Sequence, residues 1–146
     1  MLYILLINNI QDRWDYECFF ADGSPVNHCY WLLKEGEKPP VSVGDMVIHY
    51  ATTRPKRLNG FHFYGKVTDV IYDFYPDLYW RYPSRLEKPH WMLKYEILEQ
   101  LDIRKRISVD SVRSVWPSYT SQMQGAQGKN ILVLENSVGR ALVDKI

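Results

Sequence analysis

The chain of 146 residues has the length of one domain, or of one module of a longer protein. Apolar residues make up 46% and charged residues 24%, which is the balance of a globular protein. Lys and Arg total 18 and Asp and Glu total 17, so the net charge of +1 excludes a polybasic binder. Any affinity for nucleic acid must come from local patches.

The first half of the chain predicts two strands and one short helix. Leu2–Ile7 is an apolar run rich in β-forming residues, which predicts a buried strand. Asp12 is placed to cap a short helix. Residues 21–40 contain several turn signals and no sustained period, so we expect them to be irregular. The Gly44-Asp45 turn then leads into a predicted strand over Met46–Ala51.

The middle of the chain predicts two alternating strands separated by a long loop. Gly60–Tyr72 alternates over most of its length. The pattern places on one side Phe61, Phe63, Gly65 and Val67. Residues 73–89 include three prolines and read as a long ordered loop, a kind that is usually functional in compact domains. Residues 91–98 alternate again and predict the next strand.

The C-terminal part predicts two short helices around a final strand. Ser108 caps a helix through Val115 that Pro117 stops, Ile131–Glu135 is a strand, and Ser137–Ile146 predicts a terminal helix. In total, five or six strands and two or three short helices predict an α+β fold. We expect a small, mostly antiparallel β-barrel with short flanking helices.

Nothing in the sequence predicts a membrane protein, an enzyme or a metalloprotein. No apolar run approaches the length of a membrane span. Two cysteines are too few for a disulfide framework. These two observations together predict a cytoplasmic protein. No phosphate loop, nucleophile elbow or compact zinc spacing occurs, so we predict no cofactor and no metal. The adjacent His28 and Cys29, and the acidic pair Asp73 and Asp77, are weighed as catalytic candidates against ordinary loop packing and turn capping.

The unusual feature of the composition is its aromatic residues, which include 11 Tyr and 5 Trp. Seven aromatic residues fall within the twenty residues from Tyr72 to Trp91, interleaved with Arg81, Arg85 and Lys88. Aromatic rings stack favourably on any base, and neighbouring cations hold phosphates. The cluster therefore predicts stacking on flat polar ligands, with the alternative that its rings anchor the loop to the domain.

Two further basic clusters lie in predicted loops. One is Arg54-Pro55-Lys56-Arg57 and the other is Arg104-Lys105-Arg106. Each is interpreted as a solvated loop unless both lie around one site, in which case a binding patch is favoured.

Five segments in order carry the motifs of one family. They are Val43–Tyr50, Gly60–Val67, Lys88–Tyr95, Ile107–Val112 and Gln124–Val133. Their order and spacing resemble the EVE domain, a member of the PUA-like superfamily related to YTH and ASCH domains. Leu2–Ile7 fits the first strand of that family, so the resemblance covers most of the chain, read as a single domain over 1–146.

The resemblance implies a nucleic-acid-binding module with an aromatic pocket for one flipped, modified base, either methylated cytosine or methylated adenine. The implied pocket residues are Phe20, Asn27, Trp31, Tyr50, Thr52, Tyr79, Trp80 and Trp91. Phe20 and Trp31 are alternatives for one pocket wall, and the backbone near Tyr50 is expected to read base edges. The implied contacts to the sugar-phosphate backbone are Arg54, Lys56, Arg57, Arg81, Arg85 and Lys88.

The implied partner is nucleic acid, DNA in preference to RNA. The domain is expected to serve as the specificity module of a modification-dependent restriction system, with a fused or associated effector domain. The alternatives are a small ASCH-like hydrolase of modified nucleosides, which would use Asp73, Asp77 or Lys66, an RNA-binding PUA-like domain, and a protein-interaction barrel.

Overall fold

The structure is a computed structural model. It describes residues 1–10, 28–32, 38, 40–53, 60–74, 90–101, 107–126 and 131–146. At positions 8–10, 28–32, 51–53, 71–74 and 90–92 the description covers the backbone alone.

Nine elements are described. The strands are β1 (Tyr3–Ile10), β2 (His28–Leu32), β3 (Met46–Thr53), β4 (Gly60–Phe74), β5 (His90–Gln100) and β6 (Ile131–Leu134). The helices are α1 (Val109–Val115), α2 (Tyr119–Gly125) and α3 (Asn136–Val143). None of these three helices has the length and apolar character needed to cross a membrane.

The strands form one mixed sheet in the order β2-β5-β4-β3-β1-β6. Four neighbouring pairs are antiparallel, and β1 and β3 are parallel. The predicted α+β class and mostly antiparallel pairing are therefore confirmed. Among the described strands, however, β2 and β6 are the two edges and do not pair with each other, so the sheet is open where a closed barrel was expected.

Local sequence signals located most of the elements. The Ser108 hydroxyl caps α1 by accepting from the Ser111 backbone N–H at 3.1 Å, as predicted. Two elements were missed. β2 lies inside the range expected to be irregular, and α2 was not predicted. The helix expected after Asp12 lies outside the described residues.

Alternation along the strands gives the sheet two apolar faces. The first core consists of Ile4, Leu6, Val41, Val47, Phe63, Val67, Leu93 and Tyr95. The second core lies on the other face, where the helices pack, and consists of Tyr3, Leu5, Ile48, Phe61, Val112, Trp116, Leu134, Val138 and Leu142. Neighbouring residues of β1 alternate between the two cores, as the period of a strand requires.

A β-bulge corrects the predicted face of Phe61. The β3–β4 register runs from His49 opposite Phe63 to Tyr50 opposite Phe61, so His62 is an extra residue at the bulge. An extra residue shifts the side-chain alternation by one position. Phe61 and Phe63 therefore lie in different cores, although a regular strand would place them on one side.

The Gly44-Asp45 turn ties the beginnings of β1 and β3 to the middle of β4. Gly44 has a φ of +95°, in the left-handed region that favours glycine. The buried Asp45 carboxylate accepts the Leu2 N–H at 2.9 Å and the Ser42 N–H at 2.8 Å. The Asp45 carbonyl accepts the Val67 N–H at 2.8 Å. One side chain thus satisfies a backbone donor just before the turn and another just before β1.

We expect Asp45→Asn to lower the free energy of unfolding by about 1 to 2 kcal/mol, because the amide can accept only one of the two N–H groups and leaves the other unsatisfied. Asp69→Asn is the matched control, since among the described residues the exposed Asp69 carboxylate accepts only the adjacent Val70 N–H, at 2.8 Å. Denaturant unfolding of the two variants measures the difference. Equal stabilities would contradict the role assigned to Asp45.

Candidate functional site

The two basic segments attach to the same end of the sheet. β3 ends at Thr53, β4 begins at Gly60, and β5 ends at Gln100 opposite Phe63. Residues 54–59 join β3 to β4, and residues 102–106 follow β5. We call the end marked by Thr53, Gly60 and Leu101 the basic end.

One hydrogen bond connects the attachment points of these segments. The Leu101 N–H donates to the His62 carbonyl at 2.7 Å, which ties the residue before the second segment to a residue just after the first. Arg54, Lys56 and Arg57, and the cluster 104–106, themselves lie outside the described residues. The first segment leads into β4 and the second follows β5, so both attach to neighbouring strands at the same end of the sheet.

The aromatic segment attaches at the opposite end. Phe74 at the end of β4 lies opposite His90 at the start of β5, and residues 75–89 connect them. The predicted residues of this segment, all outside the described part, are Tyr79, Trp80, Arg81, Arg85 and Lys88. We call this end the aromatic end.

Of the two alternatives for one pocket wall, Trp31 has a described backbone and Phe20 does not. Trp31 lies in β2 opposite Leu93, three residues from the start of β5, so its backbone is near the aromatic end. Phe20 and Asn27 lie outside the described residues. The structure therefore brings Trp31 toward the attachment of residues 75–89 and leaves Phe20 unplaced.

Tyr50 is the only predicted pocket residue whose side chain is described. Its ring packs edge-on against Phe61 at 5.0 Å, and its hydroxyl hydrogen-bonds the Tyr119 hydroxyl of α2 at 2.9 Å. Burial raises the pKa of the Tyr50 phenol well above its usual value, and the Tyr119 hydrogen bond raises it further. The side chain thus faces the helices, and the phenol stays protonated.

The backbone beside Tyr50 was predicted to read base edges, and that role stays a prediction. β3 pairs with β1 as far as Thr53, with Thr52 opposite Asn9. The described register with β4 ends earlier, at Ala51 opposite Gly60. Thr52 therefore lies beyond the last β4 pair. Trp91 lies in β5 next to His90, with its side chain outside the described part.

A stacked aromatic column in the first core was not predicted as a site. The His49 ring stacks on Phe63 at 4.7 Å with an interplanar angle of 4°, and Phe63 stacks on Tyr95 at 5.8 Å. The buried His62 ring lies 5.6 Å from His49. Burial lowers the pKa of His49 well below its usual value, and the charge of His62 lowers it further. His49 is therefore neutral at pH 7.

These two histidines do not form a metal centre with any other described side chain, since no three described His, Cys, Asp or Glu residues are close enough together. The sequence contained one signal for the column, because the alternating patterns of two predicted strands include His49 and Phe63. That these two rings stack on each other depends on the register between β3 and β4, which the sequence did not predict.

The hydrolase candidates are not brought together by the described residues. Lys66 is exposed and lies opposite the exposed Glu96. The backbone of Asp73 is in β4 without a described side chain, and Asp77 lies outside the description. Lys66 thus lies on an open sheet surface.

Comparisons with known proteins place the fold. No family model matches the chain, and no curated protein matches it. Several solved structures, however, match the chain in fold. Human THYN1 in complex with DNA containing 5-methylcytosine matches with a TM-score of 0.59 over 99% of this chain and 97% of that chain, at 10% identity. The chain has an EVE-like fold.

Two further structures agree with this EVE-like fold. A protein from Pseudomonas putida matches with a TM-score of 0.60 at 12% identity, covering 97% of each chain. The DUF55 domain of human thymocyte nuclear protein 1 matches with a TM-score of 0.56 at 10% identity, covering 98% of this chain and 97% of that one. The EVE-like fold expected from the order of the five segments is confirmed.

Proposed function

We propose that this EVE-like domain is a nucleic-acid-binding module that recognises a methylated base, methylated cytosine or methylated adenine, in DNA in preference to RNA. The observation that carries the proposal is the attachment of both basic segments to one end of the sheet. We expect the two segments to concentrate positive charge at that end of a nearly neutral chain, where phosphates can be bound. The similarity in fold to THYN1, which was crystallised with DNA containing 5-methylcytosine, supports the choice of ligand.

The proposed pocket holds one flipped base. The aromatic walls are Trp80, Tyr79 and one of Phe20 and Trp31, and Trp91 is a further candidate. Asn27 and the backbone from Tyr50 to Thr52 read the base edges. Since that backbone lies at the basic end, a pocket of this composition requires residues 75–89 to reach it from their attachment at the aromatic end. Flipping a base costs a few kcal/mol, and stacking recovers about 1–3 kcal/mol per base. A methyl group adds apolar area that aromatic walls favour.

The phosphate contacts fall into two groups. Arg54, Lys56 and Arg57 belong to the basic end, where the cluster 104–106 attaches as well. Arg81, Arg85 and Lys88 belong to the segment that attaches at the aromatic end. We propose that the first group, joined by Arg104–Arg106, supplies most of the salt-dependent affinity, because two clusters act there on one backbone.

Titration with matched oligonucleotides tests the proposal. We expect tighter binding to DNA with one 5-methylcytosine or one N6-methyladenine than to the same sequence unmodified, with matched RNA arms alongside. The expected affinity falls as salt rises. Equal binding, or no binding, to all of these oligonucleotides would refute modified-base recognition.

Single variants separate the pocket from the phosphate contacts. Trp80→Ala should remove the preference for the modified base. Arg57→Ala and Arg104→Ala should weaken all oligonucleotides similarly and each reduce the salt slope by about one. Lys66→Ala is the control, because it removes a positive charge from an exposed position on β4 away from both ends. An equal effect of Lys66→Ala would show that the charge effect is not local.

We propose further that the domain is the specificity module of a modification-dependent restriction system in the cytoplasm, acting with a fused or associated effector domain and without catalysis of its own. Methylation-dependent cleavage by the complete system would support this, and turnover of a modified nucleoside by the domain alone would contradict it.

A further inference from the structure

We infer that Tyr119 and Tyr50 are positioning residues that hold the basic end of the sheet in the register needed for binding nucleic acid. The inference rests on the proposed function. It assigns a role to the contact between Tyr50 of the sheet and Tyr119 of the helices, which lies on the face of the second core. It gives the Tyr50 side chain a positioning role, and leaves the reading of base edges to the backbone beside it.

The contact is a pair of phenols between β3 and α2. Their hydroxyl oxygens are 2.9 Å apart, and the rings meet edge to face at 6.4 Å. Each hydroxyl group thus has the other as its hydrogen-bond partner in a partly buried place. Replacing either phenol by phenylalanine leaves the other hydroxyl with no partner among the described side chains.

The helical side of the contact is firmly held. Trp116 is 1% exposed, and its indole N–H donates to the Gln122 side-chain oxygen at 3.0 Å. The Trp116 ring packs edge-on against Tyr119 at 5.2 Å, and its carbonyl accepts the Tyr119 N–H at 3.0 Å. Tyr119 therefore presents its hydroxyl from a fixed position on the helical layer.

The sheet side of the contact lies at the one register shift of the β3–β4 ladder. The register shift falls between His49 and Tyr50, so only two described pairs of β3 and β4 lie beyond the bulge. These pairs, Tyr50 opposite Phe61 and Ala51 opposite Gly60, immediately precede the first basic segment. The bulge shifts the side-chain alternation by one position, so the register of these two pairs depends on which side chains pack on the helical face. The Tyr50–Tyr119 hydrogen bond and the Tyr50–Phe61 contact specify that register.

A double-mutant cycle in oligonucleotide binding tests the inference. We expect Tyr119→Phe and Tyr50→Phe each to weaken binding about fivefold to methylated and unmethylated DNA alike, and the double variant to be no weaker than either single one. Tyr64→Phe is the control, since Tyr64 is a half-buried tyrosine of β4 whose hydroxyl has no hydrogen bond among the described residues. Additive losses, or a loss in Tyr64→Phe of the same size, would overturn the inference.

Amide hydrogen exchange of the free protein separates this inference from the proposed function. Tyr119→Phe should speed exchange by about tenfold at residues 51–53 and 60–62 and leave residues 4–6 of β1 unchanged. A uniform change over both sets would indicate a general loss of stability and would overturn the inference. If the parent protein binds no oligonucleotide, the proposed function fails, and the exchange pattern still decides whether the tyrosine pair positions this end of the sheet.

Discussion

Gly65→Ala is expected to destabilise the fold by about 3 kcal/mol. A Cβ atom at Gly65 would collide with the carbonyl oxygen of Glu96 in β5. The obstacle is backbone, which cannot turn aside as a side chain does, so β4 and β5 must separate locally. The register shift between Tyr64 and Gly65 marks the place where the two strands approach this closely.

Gly125→Ala is the matched control. A Cβ atom there meets nothing within 4 Å, and its φ is not in the left-handed region. Gly125 ends α2, so alanine should leave stability within about 0.5 kcal/mol of the parent or raise it slightly. Denaturant unfolding compares the two. If Gly65→Ala unfolds at the same midpoint as Gly125→Ala, the close approach of β4 and β5 is wrong.

The second large effect is a loss of stability in acid that His49 causes. The pKa of His49 is lowered in the folded protein by burial and by the charge of His62, whereas in the unfolded chain it is close to the ordinary value. Below about pH 6.5 the unfolded chain therefore binds a proton that the folded chain does not. Stability is full above that pH and falls as pH falls, by about 1.4 kcal/mol per unit.

We expect the free energy of unfolding to fall as the pH is lowered from 6.5 to 5, by at most about 2 kcal/mol for this one proton, measured by denaturant unfolding at each pH. His49→Leu should remove most of this slope, and His62→Asn should reduce it in part, because only the charge effect of the neighbour is lost. A slope that persists in His49→Leu would assign the acid sensitivity to another group.

The fold could be predicted from the sequence wherever a local signal is strong. The Gly44-Asp45 turn, the alternation after Gly60 and the Ser108 cap each located an element. β2 was missed because turn residues surround it and it is an edge strand held by β5 alone. α2 was missed because its seven residues have no buried side chain and so no sustained apolar stripe, and its partner Tyr50 comes from a distant part of the chain.

The sequence predicted which residue types form the candidate site. It predicted much less about how these residues are arranged in space. Arg57 and Arg104 are far apart in sequence, and only the pairing of β3, β4 and β5 brings their segments to one end. The column of His49, Phe63 and Tyr95 spans three strands. The role of Tyr50 also changed, since its position in β3 was predicted correctly but its contact with Tyr119 was not.

The sequence by itself determined the α+β class, the motif order of an EVE-like domain and the concentration of aromatic and basic residues in a few segments. These features depend on local propensity, side-chain alternation and capping, which act within a few residues. The tertiary structure alone decided which strands are neighbours, that the described sheet is open, and that the bulge at His62 separates Phe61 from Phe63. Such features arise from pairing between distant segments, whose register is chosen by burial on both faces of the sheet at once.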